Sequence, residues 1–323
     1  MEGREFPPVR DCWFVTGPTA SGKTQVGIAL ARRLQAEILS LDSMAIFRGL
    51  DIGTAKPTAA DRAAVPHLLL DLASPDEDFS LVDYLVAAHA AVEEVRRRGR
   101  IPLFVGGTPL YLKALLRGLC EGPPADWDFR RAVEAEVREV GTEALHQRLQ
   151  LVDPLSAAKL HPHDLRRIVR ALEVHHLTGR PLSHQQTQFD ELIGNSGCRV
   201  LALEWPRPVL HRRIEERVEQ MFAAGLVDEV RGLLARYGQL SRTASQAVGY
   251  REVAEYLTGK GTWEETVALV QARTRQFARR QETWFRSLAE IRRLPLREGE
   301  SADAIAGRMV ELASATGTGA VFL

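Results

Sequence analysis

Cysteine is scarce: Cys12, Cys120 and Cys198 are the only three in 323 residues, odd in number and far apart in sequence, so neither a disulfide framework nor a zinc-ligand spacing is available. No apolar run approaches the length needed to cross a bilayer, and the stretch Met1 to Val9 is short, mixed in charge and rich in proline. A cytoplasmic location without a membrane partner is the expectation. Charge of one sign is also missing: 42 Lys and Arg balance 42 Asp and Glu, which excludes a uniformly basic coat but leaves local clusters open. Low-complexity tracts and internal repeats are absent, and 45% hydrophobic with 26% charged residues is the composition of an ordinary globular chain with a substantial core. Its length exceeds the usual single domain, so a core plus a second lobe is expected.

Strand and helix signals alternate from the start. The apolar run Cys12 to Val15 enters Gly17-Pro18-Thr19-Ala20-Ser21-Gly22-Lys23-Thr24, and Val26, Leu30 and Leu34 follow at helical spacing. Further strands are expected over 37–41, 67–72 and 101–105, with a helix from the capping pair Ser80 and Asp83 toward Arg97. This is an α/β pattern: a P-loop-type parallel sheet flanked by helices with right-handed crossovers. After Leu119 the chain turns to Glu121-Gly122-Pro123-Pro124 and then to charge-laced helical segments with no convincing strand, an inserted all-helical lobe. A strand over 199–205 and helices over 208–223, 226–237, 247–257 and 263–288 restore the core. The expected division is therefore 1–119 with 197–299 as the core, 120–196 as the helical insertion, and 300–323 as a C-terminal helix and tail.

Gly17-x4-Gly22-Lys23-Thr24 between strand and helix matches the P-loop, whose backbone N–H groups and helix N-terminus cradle a phosphate chain. Lys23 neutralises anionic oxygens there, and Thr24 offers a hydroxyl to Mg²⁺. Asp42 closes a strand at the carboxyl edge where open α/β sheets bind ligands, with a turn or cap aspartate as the competing reading. Gly106-Gly107-Thr108 follows another strand to the same edge, either for close approach to a ligand or as a plain turn. On a helix over 269–288, Val270, Phe277, Trp284 and Leu288 share one face, read as core, and Arg275, Arg279 and Arg286 the opposite one, a stripe suited to phosphates or simply solvated. Arg166, Arg167 and Arg170 share a face beyond Asp164. His161, His163, His175 and His176 lack metal-like context.

Six blocks then carry a resemblance: Gly17 to Thr24; Asp42-Ser43-Met44 through Asp51-Ile52-Gly53-Thr54-Ala55-Lys56-Pro57; Gly106 to Tyr111; His161 to Val174; Ala247 to Glu252; and Arg279 to Arg286. In this order they resemble the tRNA dimethylallyltransferase (isopentenyltransferase) family of bacterial type. The resemblance implies transfer of the dimethylallyl group from dimethylallyl pyrophosphate to N6 of the adenosine 3′ to the anticodon, position 37 of the tRNA. It implies a P-loop from Gly17 through Pro18, Thr19, Ala20, Ser21, Gly22, Lys23 and Thr24 that holds pyrophosphate with Mg²⁺, Asp42 acting on the adenine amine, and Thr108 supporting it. Arg213 and Arg217 resemble arginines that close over the pyrophosphate; a surface pair with Glu216 and Glu219 is the competing reading. The implied tRNA-contacting set comprises Asp42, Ser43, Met44, Ala45, Thr108, Arg130, Arg166, Arg167, Arg170, Gln246, Gly249, Tyr250, Arg251, Arg279, Arg280, Gln281, Trp284 and Arg286, with a solvated arginine as the competing reading of Arg130; a monomer is the expectation.

Departures from the family pattern stand at Ala45 and Phe47, where glutamine and tyrosine are frequent, and at Arg166 and Arg279, where glutamine and lysine are common. They bear on base recognition, not on the reaction. Two other classes compete: a P-loop small-molecule kinase using ATP, which the first three blocks alone permit, and a non-catalytic RNA-binding module, which leaves Lys23, Thr24 and Asp42 unexplained.

Overall fold

The computed structural model describes residues 4–185 and 197–314. Those residues fall into two compact units, one formed by residues 4–8 and 114–185 and the other by 9–113 and 197–314. Residues 186–196 and the tail 315–323 named above lie outside the described residues.

The larger unit is built on a parallel sheet. Its strands are β2 (Trp13–Thr16), β3 (Ala36–Ser40), β4 (His67–Leu68), β5 (Ile101–Val105), β7 (Arg199–Glu204) and β8 (Arg292–Pro295), in the order β4-β3-β5-β2-β7-β8. β2 sits centrally, with Val15 opposite Val105 on β5 and Leu201 on β7. All four of its residues are buried, as expected of a parallel strand covered on both faces. Around the sheet lie α1 (Lys23–Leu34), α2 (Ala59–Ala64), α3 (Leu81–Arg97), α4 (Pro109–Arg117), α9 (Arg207–Ala223), α10 (Leu226–Tyr237), α11 (Tyr250–Leu257), α12 (Trp263–Ser287) and α13 (Ala302–Ser314). The Ser80–Asp83 capping box opens α3 as the sequence signals. Set apart in sequence terms, α13 is in fact core: Ile305, Ala306 and Met309 join the cluster formed by α1, β2 and β7.

Three differences from the sequence expectation have local causes. β4 stops at Leu68 because Leu69 and Asp71 adopt positive φ of 63° and 58°, which a strand cannot continue through. α11 begins at Tyr250, after a short 3-10 turn (Ala244–Gln246) and Gly249 at φ 99°. β8 shows no alternation in sequence because it is an edge strand on which only Leu294 is buried.

The smaller unit pairs β1 (Glu5–Phe6) with β6 (Leu119–Cys120) antiparallel, two short strands that the sequence does not announce. Its helices are α5 (Trp127–Val152, kinked at Gly141), α6 (Pro154–Lys159), α7 (Leu165–Thr178) and α8 (Leu182–Gln185). Val133, Leu145, Leu149, Ile168 and Leu172 form its core. Beside that core the fully buried Glu173 receives Arg130 at 2.7 and 2.8 Å, Arg170 at 2.6 Å and the Asp126 amide at 2.8 Å. Among the described residues no helix is long and apolar enough to cross a membrane.

Candidate active site

The turn between β2 and α1 owes its shape to positive φ at Gly17 (143°), Ala20 (62°) and Gly22 (89°). A side chain at Gly17 would stand 2.8 Å from the Leu203 carbonyl on β7, so glycine is required there. Gly22 caps α1 without a side chain and no acid lies in the first turn, which leaves the helix N-terminus suited to an anion. Lys23 Nζ donates to the Pro18 carbonyl at 2.8 Å. Burial, then the neighbouring Arg217, push its pKa down to about 7, with Asp42 opposing. Thr24 follows on the same turn.

Two arginines of α9 reach this loop. Arg213 donates to the Ala20 carbonyl at 2.9 Å and lies over the Trp205 ring, whose Nε1 holds the Ser21 carbonyl at 3.0 Å. Arg217 lines the pocket, donates to the Thr54 carbonyl at 3.3 Å, and has its pKa lowered by burial while Asp42 raises it. The competing surface-pair reading fails, since the pairing formed by Glu216 is with Arg212.

Opposite the cations, at the carboxyl ends of β3 and β5, Asp42 Oδ1 accepts from the Met44 and Ala45 amides at 2.8 and 3.3 Å. The turn-aspartate reading is thus correct for one oxygen, while Oδ2 has no protein donor among the described residues and Asp42 lines the pocket. Thr108 Oγ1 accepts from the Ser43 amide at 3.0 Å and its own amide donates to the Leu41 carbonyl at 3.1 Å. Gly106 makes that approach possible: a Cβ there would lie 2.2 Å from the Leu41 carbonyl oxygen.

Thr19 to Thr24, Asp42, Ser43, Thr108 and Arg217 line one pocket of about 500 Å³, whereas Arg213 supports the loop from outside that lining. The segment 53–57 forms another part of its wall, held by Glu229, which accepts from the amides of Asp51, Ile52 and Gly53 and from Tyr250 Oη at 2.5 Å. Val218, Met221, Leu226, Val270 and Phe277 add an apolar wall, and Gln246, Gly249, Arg280 and Trp284 complete it. A second cavity of about 460 Å³ is lined by Arg207, Arg279, Arg286 and Arg293 with Glu204, Trp205, Glu282 and Thr283.

Several expected residues stand elsewhere. Phe277 and Trp284 are pocket wall, not core, with Trp284 39% exposed. Arg275 is engaged by Glu215 at 2.8 Å and so is no free member of a solvent stripe. Ala45 is buried but lines the pocket, whereas Tyr250 is wholly buried with its hydroxyl on Glu229 and stands outside the lining. Gln281 is buried against the P-loop, its Oε1 accepting from the Thr19 amide at 2.8 Å and its Nε2 donating to the Gly107 carbonyl at 2.6 Å. Arg130 and Arg170 turn inward to Glu173, and Arg167 pairs with Asp164. Arg166 stays exposed; Arg251 is exposed beside Glu255 at 3.2 Å. Glu229 had no motif to mark it, and the buried Lys56, bonded to the Phe47 carbonyl, Asp51 and Asp71, stood inside the second block without a role assigned to it. The three cysteines form no disulfide, and no cluster of metal-binding side chains occurs among the described residues.

Comparison with known proteins agrees with this geometry. The family model described as "IPP transferase" matches residues 45–288, and one described as "Isopentenyl transferase" matches 10–74. The chain is similar to a tRNA dimethylallyltransferase of Rhodopirellula baltica, 52% identical over 92% of both chains. It is likewise similar to tRNA dimethylallyltransferase 1 of Pelobacter propionicus, at 47% over 90% of this chain and 93% of that one. Among solved structures, a full-length tRNA isopentenylpyrophosphate transferase from Bacillus halodurans aligns with TM-score 0.69 and 38% identity, covering 94% of this chain and 96% of that one. With a P-loop facing an aspartate across an apolar-walled pocket, and family matches that together run from residue 10 to 288, the chain belongs to the IPP transferase family, that of the tRNA dimethylallyltransferases.

Proposed function

We propose that this chain transfers the dimethylallyl group of dimethylallyl pyrophosphate to N6 of the adenosine 3′ to the anticodon, position 37 of tRNA, and releases pyrophosphate. The observation that carries the reading is a single pocket where Lys23 and Arg217 face Asp42, with Val218, Met221, Leu226 and Phe277 supplying an apolar wall. In the reaction the allylic C–O bond breaks and the N6–C bond forms. The electron pair of the broken C–O bond leaves on pyrophosphate, the N6 lone pair makes the new bond, and the N6 proton goes to a base. Asp42 is that base, since a neutral amine gains nucleophilicity only as its proton is accepted. Lys23, Arg217 and the α1 N-terminus stabilise the departing anion. Ser43 and Thr108 hold the Asp42 turn in place.

The residues present fit a Mg²⁺ ion. In a P-loop the Ser or Thr after the lysine offers its hydroxyl to Mg²⁺ beside the substrate phosphates, and Thr24 at the second position of α1 supplies that oxygen. When bound, the ion spreads the negative charge of the leaving pyrophosphate.

For RNA the same reading uses Gln246, Gly249, Arg280 and Trp284 at the pocket and Arg279 and Arg286 in the second cavity, with Arg166 and Arg251 as exposed phosphate contacts. The enzyme acts as a cytoplasmic monomer, which light scattering and cell fractionation test. A phosphoryl-transferring kinase is not favoured, because the relatives are prenyl transferases and an apolar wall opposes the cationic loop. Incubation with labelled dimethylallyl pyrophosphate and undermodified tRNA tests the proposal. Label in RNA at a single adenosine is expected, and ATP hydrolysis without such label would overturn it.

A further inference from the structure

Gln281 occupies an unusual position for a polar side chain on a helix that also faces RNA in the reading above. It is 3% exposed, and both ends of its amide are bonded to backbone in two different turns. One is Thr19 of the P-loop, at 2.8 Å, and the other is Gly107, at 2.6 Å, next to the threonine that supports Asp42. The fit is tight: a Cβ on Gly107 would stand 2.6 Å from Gln281 Nε2 and 3.5 Å from Lys23 Nζ. On either side of Gln281 along α12, Arg280 and Trp284 line the first pocket while Arg279 and Arg286 line the arginine-rich cavity.

We propose that Gln281 is a positioning residue that couples RNA engagement on α12 to the pyrophosphate cradle, so that donor and tRNA bind cooperatively. The inference rests on the tRNA-prenylating reading and adds to it how the two substrates sense each other. The physical ground is directional. A buried amide with a donor and an acceptor both engaged holds α12 to both turns at once, and hydrogen bonds weaken steeply as their geometry departs from linear. A small shift of α12 on binding RNA therefore moves the Thr19 amide and the Gly107 carbonyl together. Coupling between two ligands is reciprocal, so it can be read from either side.

The experiment measures inorganic pyrophosphate binding, with Mg²⁺ present, in the absence and presence of an undermodified anticodon stem-loop, on the full chain. In the wild type the RNA is expected to tighten pyrophosphate binding about tenfold, within the usual range for coupled sites. Gln281→Met, similar in length without either hydrogen bond, is expected to reduce that ratio to under about twofold, with RNA affinity in the absence of pyrophosphate changed less than about threefold. A merely structural role would weaken pyrophosphate binding equally with and without RNA and leave the ratio unchanged. Gln281→Glu keeps the acceptor for Thr19 and loses the donor to Gly107. Its added charge acts in both arms, so its ratio is expected to lie between the other two, and it serves alone if Gln281→Met does not fold. A ratio near one in the wild type, an undiminished ratio in the variants, or a loss confined to RNA affinity would overturn the proposal. Lack of dimethylallyl transfer by the wild type would instead overturn the reading beneath it, since the binding ratio needs no turnover.

Discussion

At the scale of single residues the site rests on charges whose separate tasks can be tested. Asp42→Asn retains Oδ1 and with it the bonds from the Met44 and Ala45 amides, so the turn persists while the proton acceptor is lost. The single-turnover rate is expected to fall about 10²–10⁴-fold with tRNA affinity nearly unchanged. Equal rate with weakened tRNA binding would make Asp42 a recognition group. Lys23 gives a second test through pH. Its pKa of about 7 in the free protein lies well below the usual lysine value, and an anion binds its protonated form. Raising pH from 7 to 9 should therefore weaken pyrophosphate binding by up to about tenfold per unit, beyond the titration of pyrophosphate itself. Lys23→Met, with no charge to lose, should show only that residual dependence in calorimetric titrations. Both residues were legible in sequence because their motifs are local: a glycine loop and a strand end. Glu229 and the true position of Gln281 were not, since their backbone partners lie 176 to 178 residues away for Glu229 and 174 and 262 for Gln281.

At the scale of elements, periodicity told which residues share a face but not what the face meets. Val270, Phe277 and Trp284 recur on α12 as a core stripe would, and a ligand pocket presents the same apolar demand as a core. Arginine patterns hid their partners for a related reason: Arg130 and Arg170 stand in the implied tRNA-contacting set, yet both pair with Glu173, on the same α7 as Arg170 and fully buried between them. Burial alone would raise the Glu173 pKa, but the two arginines and the Asp126 amide hold it below the ordinary carboxylate value. The stability it lends is thus present above the usual glutamate range and lost as pH falls through its depressed folded value. Glu173→Ala leaves two cations unpaired and should cost the helical unit about 3–5 kcal/mol, read as a lower denaturant midpoint at neutral pH. In the larger unit, Glu229→Ala strands three amides of the Asp51 to Gly53 turn. A loss of about 2–3 kcal/mol in chemical denaturation is expected, and Tyr250→Phe should lose less, because the carboxylate keeps its amide donors.

At the scale of the whole molecule, zero net charge conceals where an RNA would be held, and the exposed arginines make that a question of salt. Replacing Arg279 and Arg286 together should lower the slope of log affinity against log salt by about one to two, whatever the RNA sequence, if each meets a phosphate. An unchanged slope in filter-binding titrations would move the RNA surface away from the second cavity. The α/β alternation and the helical insertion were legible along the chain, but the strand order β4-β3-β5-β2-β7-β8 was not, since nothing local marks β7 as the neighbour of β2. That neighbour relation has a consequence for the order in which the chain is made. The P-loop is complete at Thr24, yet the parts that shape it come much later: the Leu203 backbone against Gly17, Trp205 on Ser21, Arg213 on Ala20 and Gln281 on Thr19. A nascent chain emerging from the ribosome thus carries the phosphate-binding sequence long before the residues that brace it, and the loop gains its last brace only when α12 is free to fold.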